Sequence, residues 1–128
     1  MAEAKNKTIM IVEDDTFVLD IYHTKLSNEG FEIITAADGV EAMEKLEKEK
    51  IVPNLILLDI IMPNMDGLEV LRRVQKIEAL KNTPIVMLTN LSQRDEIEEA
   101  LNLGAKDYLI KSHFTPVEVL EKINKYLV

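Results

Sequence analysis

The sequence has no cysteine in its 128 residues. That excludes a disulfide framework and any metal site built on thiolates. No apolar run approaches the ~20 residues a membrane-spanning helix requires. Met1–Lys7 is short and polar and lacks the apolar core of a signal peptide. These absences predict a loose tail over residues 1–7 and a cytoplasmic protein with no membrane partner. Positive charge is also scarce: 15 Lys and Arg stand against 23 Asp and Glu, a net charge of -8. A general nucleic-acid binder needs a basic surface, so direct nucleic-acid binding is not expected. No linker, low-complexity tract or repeat divides the chain. The length suits one domain, placed over residues 8–128.

What the chain does contain is an alternation. Five short apolar runs, Ile9–Val12, Phe31–Thr35, Leu55–Leu58, Pro84–Leu88 and Asp107–Ile110, alternate with five helix-like segments. The first, third and fourth runs are continuously apolar, as central strands covered on both faces are. The second and fifth are shorter or more mixed and suit edge positions. Helices are predicted from about Thr16 to Ser27, from Asp38, from Asp66, from about Ser92 to Leu103, and from Thr115 to the end. Asp38 and Asp66 each precede a Glu three residues on, a capping-box pattern. Gly30 and Gly104 sit where helices stop. The inward faces are read as Leu68, Leu71, Val74 and Ile77; Ile97, Ala100 and Leu101; and Val117, Leu120, Ile123 and Leu127. Strict alternation implies an α/β fold, a doubly wound parallel sheet with right-handed crossovers. The flavodoxin-like (βα)5 order 2-1-3-4-5 is the expectation, with a site at the carboxyl ends of strands one and three. That order is borrowed from known examples of the architecture, since alternation by itself does not set it.

Reading off those strand ends collects chemistry. Strand one ends on Glu13-Asp14-Asp15, strand three on Asp59, strand four on Thr89-Asn90 and strand five on Lys111-Ser112. One Asp is enough to cap a helix; three adjacent acids repel one another and Asp59. A hard divalent cation such as Mg²⁺ resolves that conflict with carboxylate ligands and water. On the residues alone, capping with surface charge and cation binding both stand. A cation with a Lys can hold a phosphoryl group, a Thr hydroxyl can donate to its oxygens, and a carboxylate can accept it as an aspartyl phosphate.

Four stretches in order carry a resemblance: Ile11-Val12-Glu13-Asp14-Asp15, Leu57 to Gly67, Leu88-Thr89 and Gly104 to Lys111. The chain resembles the receiver domain of bacterial two-component response regulators over nearly its whole length. The resemblance implies that Asp59 accepts a phosphoryl group from a sensor histidine kinase or a histidine phosphotransfer protein. It implies that Asp14 and Asp59 bind Mg²⁺ directly, Glu13 through water, with the Ile61 backbone carbonyl as a further ligand. Lys111 pairs with Asp59 and then with the phosphoryl group, Thr89 bonds a phosphoryl oxygen, and Tyr108 turns inward to reshape the face of helix four, strand five and helix five. That face would meet a downstream protein. The chain would then be a phosphoacceptor and not an enzyme acting on a separate substrate, either free-standing or part of a longer protein.

The sequence departs from the family pattern at two positions. Ser112 follows the Lys where a proline on a cis bond is usual; a cis bond before Ser costs about 3 kcal/mol. Either the bond is trans with a changed loop, which puts the reach of Lys111 in question, or the site supports a cis bond. Asn90 replaces a small residue and either narrows the site or adds a hydrogen bond. Apolar Ile61 and Leu91 do not orient water, so slow loss of the phosphoryl group is expected. Three other functions compete. A phosphatase with an Asp nucleophile needs a second Asp at the place of Ile61. An FMN module needs phosphate donors where Glu13-Asp14-Asp15 stands. A degenerate receiver acting as a phosphorylation-independent interaction module is the alternative that survives these comparisons.

Overall fold

The five apolar runs form one parallel sheet in the order β2-β1-β3-β4-β5. In this computed structural model, which describes residues 7–127, the strands are β1 (Thr8–Val12), β2 (Glu32–Ala36), β3 (Leu55–Leu58), β4 (Ile85–Thr89) and β5 (Asp107–Ile110). The helices are α1 (Thr16–Asn28), α2 (Gly39–Met43), α3 (Gly67–Val74), α4 (Arg94–Asn102) and α5 (Pro116–Asn124). A π-helical turn, Glu44–Lys48, extends α2, and short 3-10 turns occupy Glu78–Leu80 and Lys111–His113. The expected tail falls on residues outside those described, apart from Lys7.

The three continuously apolar runs lie in the inner strands. Every residue of β3 and β4 is buried, and β2 and β5 take the two edges. Because successive side chains in a strand point to opposite faces, the sheet divides the core in two. Met10, Val12, Ile56, Leu58, Ile85 and Met87 pack with α2, α3 and α4. Ile9, Ile11, Leu55, Leu57, Val86 and Leu88 pack with residues of α1 and α5, among them Tyr22, Leu26, Val119 and Ile123.

Two expected inward residues face solvent. Leu101 and Val117 are exposed. On α4 the buried position is Ala100, with Ile97 and Leu103 half-buried, and Leu101 lies about 100° of helical rotation from it. On α5 the stripe is Val119, Leu120, Ile123 and, past the helix end, Leu127; Val117, in the first turn, falls on its rim. The caps differ as well. Asp38 and Asp66 do accept from the Glu41 and Glu69 amides. Glu41 returns its bond to the Ala37 amide, one residue early, and Glu69 turns outward to Arg72 and Arg73. Only Thr115 and Glu118 close a full box on α5, reinforced by Pro116 in the first turn.

Gly67 is required by close approach. A Cβ there would lie 2.0 Å from the Asp59 carbonyl oxygen, a backbone atom that cannot yield. The Gly67 amide donates to the Ile60 carbonyl at 2.8 Å, so α3 starts pressed against the end of β3. Gly67→Ala is therefore expected to cost about 3 kcal/mol in urea unfolding, through overpacking.

Candidate functional site

The sheet delivers its carboxylates by backbone pairing that runs on past the strand ends. The Asp59 amide donates to the Val12 carbonyl at 3.1 Å, and the Glu13 amide to the Ala36 carbonyl at 3.0 Å. Glu13 and Asp59 are thus held side by side, and both are buried. Asp14 is exposed at their rim. The three offer carboxylate oxygens that lie within 4.8 Å of one another. Asp15 stands apart from them and caps α1, where its Oδ1 accepts from the Phe17 amide at 2.9 Å.

Lys111 reaches this cluster. Its Nζ is 2.7 Å from Asp59 Oδ2 and 2.5 Å from Glu13 Oε1. The peptide bond to Ser112 is trans, since the described residues contain no cis bond, and the loop is the 3-10 turn Lys111–His113. The trans bond does not shorten the reach of Lys111. The remaining carboxylate oxygens are also engaged: Ile60 donates its amide to Asp59 Oδ1 at 2.7 Å, and Asp15 to Glu13 Oε2 at 3.0 Å.

One ammonium facing two buried carboxylates leaves the site short of positive charge. Burial raises the Glu13 pKa, and the Asp59 charge adds to the rise against the bonds from Lys111 and the Asp15 amide. Burial alone would lower Lys111, but the bonds to Asp59 and Glu13 outweigh it and hold its pKa above the usual value. An all-oxygen donor set with an unbalanced negative charge fits a hard divalent cation. Zinc and copper sites favour imidazole or thiolate, and the cluster offers neither.

Thr89 ends β4 and is buried. Its Oγ1 accepts from the Leu91 amide at 3.4 Å. Tyr108 on β5 is half-buried against the α2–α4 core, and its hydroxyl donates to the Leu91 carbonyl at 2.7 Å. Ile61 stands exposed beside Asp59. Phe17 is exposed and Leu19 half-buried against the core. His23 and His113 lie at the surface.

Two supporting residues escape a reading of the sequence. Tyr22 is buried beneath the cluster, lining with Glu13 and Asp59 a void of about 10 Å³; on its helix it reads only as one more core aromatic. Asn64 donates to Asp38 Oδ2 at 2.7 Å and ties the loop after β3 to the start of α2. Its φ of 70° is a left-handed conformation that Asn tolerates better than most residues, the one signal that could have marked it.

All three tyrosines are held above their ordinary pKa of 10.0. Burial raises Tyr22. It pushes Tyr108 up to about 12, with Glu96 and Asp59 adding. Burial and the bond to Asp107 raise Tyr126. The folded state therefore favours the protonated phenols. Their contribution to stability is complete below pH 10 and is lost as pH rises toward 12. With no tryptophan in the chain, absorbance at the tyrosinate band should titrate with every midpoint above 10, and unfolding should become easier over that window.

Against known proteins, the response regulator receiver domain model matches residues 9–124. The chain is 36% identical over 120 residues to the chemotaxis protein CheY of Bacillus subtilis, covering 93% of this chain and 96% of that protein. A CheY-like receiver domain protein from Methanospirillum hungatei superposes with a TM-score of 0.87 at 36% identity, covering 94% and 93% of the two chains. A chain of the CheX–CheY–BeF₃–Mg complex from Borrelia burgdorferi gives 0.86 at 31% identity, covering 95% and 90%. The chain spans about half the length of other curated relatives it matches, whose names describe transcriptional regulators.

Proposed function

The chain belongs to the response regulator receiver domain family, and from that premise we propose that Asp59 accepts a phosphoryl group from a phosphohistidine on a sensor histidine kinase or histidine phosphotransfer protein. The observation that carries this reading is the Lys111 ammonium 2.7 Å from Asp59 Oδ2, beside the clustered carboxylates of Glu13 and Asp14.

An Asp59 Oδ attacks the phosphorus, the P–N bond breaks and the electron pair leaves with the imidazole nitrogen. The Asp59 carboxylate is fixed on the sheet by its own backbone and by the Ile60 amide, so little motion separates it from an in-line approach. Lys111 exchanges part of its bond to Asp59 for a phosphoryl oxygen. Thr89 is proposed to donate its hydroxyl to another. A divalent cation, Mg²⁺ in this proposal, would be held by Asp14, Asp59 and the Ile61 carbonyl with Glu13 behind them, and when bound it would offset phosphoryl charge. The Borrelia relative, whose complex contains BeF₃ and Mg, supports that choice.

The aspartyl phosphate carries about two negative charges and three acceptor oxygens. Drawing Thr89 toward it shifts Leu91, whose carbonyl holds Tyr108. That links the site to the face of α4, β5 and α5, where a downstream protein would bind. The donor would dock on α1, where Phe17 and Ile21 stand exposed in a groove closed by Pro116. Exposed, apolar Ile61 offers no group to orient water, so the phosphoryl group should persist well beyond seconds once the donor is removed.

Incubation with acetyl phosphate and Mg²⁺ followed by intact-mass measurement tests the proposal. One added phosphoryl group per chain is the expected result. An unchanged mass would leave the phosphorylation-independent interaction module.

A further inference from the structure

Backbone pairing between β4 and β5 ends at Thr89 and Ile110. The next residues, Asn90 and Lys111, would form another rung if the strands continued. They do not, because Lys111 opens the 3-10 turn Lys111–His113, in which the Phe114 amide bonds the Lys111 carbonyl at 3.4 Å. The first amides of such a turn have no partner within it. Ser112 has one from outside: its amide donates to Asn90 Oδ1 at 2.9 Å.

A side chain therefore replaces the missing rung. Lys111 is gripped on both sides, by the ladder through Ile110 and by Asn90 through Ser112. This matters because Lys111 must carry a long, flexible side chain to two carboxylates. Each rotamer of that side chain magnifies any tilt of its backbone, and Lys pays a high entropy for being fixed. Asn90 also follows Thr89 directly, so one bond joins the segments that bear the ammonium and the hydroxyl.

We infer that Asn90 is a positioning residue for phosphoryl capture, acting through the Ser112 amide to hold the backbone of Lys111 in register with Thr89. The inference rests on the proposed phosphoacceptor role and deepens it. Asn90 touches neither Asp59 nor the phosphoryl group in this scheme; its effect passes through the backbone.

The experiment uses the full chain with two readouts, amide hydrogen exchange by NMR and the initial rate of phosphorylation by acetyl phosphate with Mg²⁺. Asn90→Ala should expose the Ser112 amide and slow phosphorylation by about three- to tenfold, the range of one lost hydrogen bond, while the amides of β1 and β3 keep their protection. Asn90→Asp, which keeps an acceptor oxygen of the same reach, should restore the protection of Ser112. A general loss of structure would instead accelerate exchange across the sheet, and would overturn the inference. So would Asn90→Ala exposing Ser112 with the rate unchanged, or slowing the rate with Ser112 still protected. A wild-type chain that takes no phosphoryl group defeats the phosphoacceptor reading itself. A wild-type chain that is phosphorylated while Asn90→Ala behaves identically defeats only the role of Asn90.

Discussion

Asp59→Asn is expected to abolish the phosphoryl adduct while leaving the fold intact. The carboxamide is nearly isosteric and keeps one acceptor oxygen, enough for the Ile60 amide or for Lys111 but not for both. What it loses is the nucleophile, for an amide oxygen does not displace the imidazole of a phosphohistidine. Intact mass after incubation with acetyl phosphate and Mg²⁺ should stay at the unmodified value, against full or partial conversion of the wild type. The neighbouring acids do not substitute: Glu13 is held by Lys111 and the Asp15 amide, Asp15 caps α1, and Asp14 stands exposed at the rim without a bond to Lys111. An adduct that survives in Asp59→Asn would move the acceptor elsewhere and refute the assignment. Stability should hold or rise slightly, because one of two buried negative charges is gone and Lys111 still pairs with Glu13.

Lys111→Met should have the opposite balance, a modest change in shape and a large electrostatic penalty. The substitution leaves Glu13 and Asp59 buried and facing each other with no cation. Breaking a buried ion pair by removing one partner costs about 3–5 kcal/mol; the Lys111 side chain retains 16% exposure, so about 3 kcal/mol is expected. Urea unfolding at neutral pH without divalent cations reads this directly. Two further results follow from the cause. Added Mg²⁺ should recover much of the loss, since a cation at the carboxylates supplies the missing charge. Lowering the pH should also recover it. Glu13 already has a raised pKa when folded, and without Lys111 it rises further, so the folded state binds the proton more tightly than the unfolded one. Stability then grows as pH falls through the folded pKa of Glu13, and is smallest above it. A variant as stable as wild type in metal-free buffer would mean the pair contributes nothing to the fold. Phosphorylation of the variant should be slow in either case.

Which strands lie inside the sheet and where the acids emerge were legible because they depend on coarse properties, whereas the strand order itself was borrowed from known examples of the architecture. Continuous apolar runs mark Leu55–Leu58 and Ile85–Leu88 as interior strands, and a charged residue straight after such a run can only emerge at the sheet edge. The family resemblance then assigned Asp59, Lys111 and Thr89 their proposed roles. The helix faces were less legible. Leu101 and Val117 each sit near the rim of a narrow apolar stripe, where a rotation of about 100° per residue separates core from solvent and an apolar side chain satisfies either reading. The Ser112 loop lay beyond sequence reasoning for another reason. Whether Lys111 reaches Asp59 from a trans bond depends on the turn geometry and on a partner, Asn90, that is 22 residues away in the chain. Local pattern carries no information about such a contact.

The division of the interior by the sheet has a consequence for how this chain can change over generations. Adjacent residues of β3, such as Ile56 and Leu57, belong to separate packing groups, one shared with α2–α4 and the other with α1 and α5. Substitutions well separated in the two groups, with the sheet between them and no shared partners, should have energetic effects that add. The surface proposed for the donor lies over the α1 group, and the surface proposed for the downstream protein straddles both, α4 over one group and α5 over the other. A lineage could therefore exchange its upstream partner by drift on the exposed face of α1 while α4 stays constant, with the acidic cluster and α5 as the features both surfaces share.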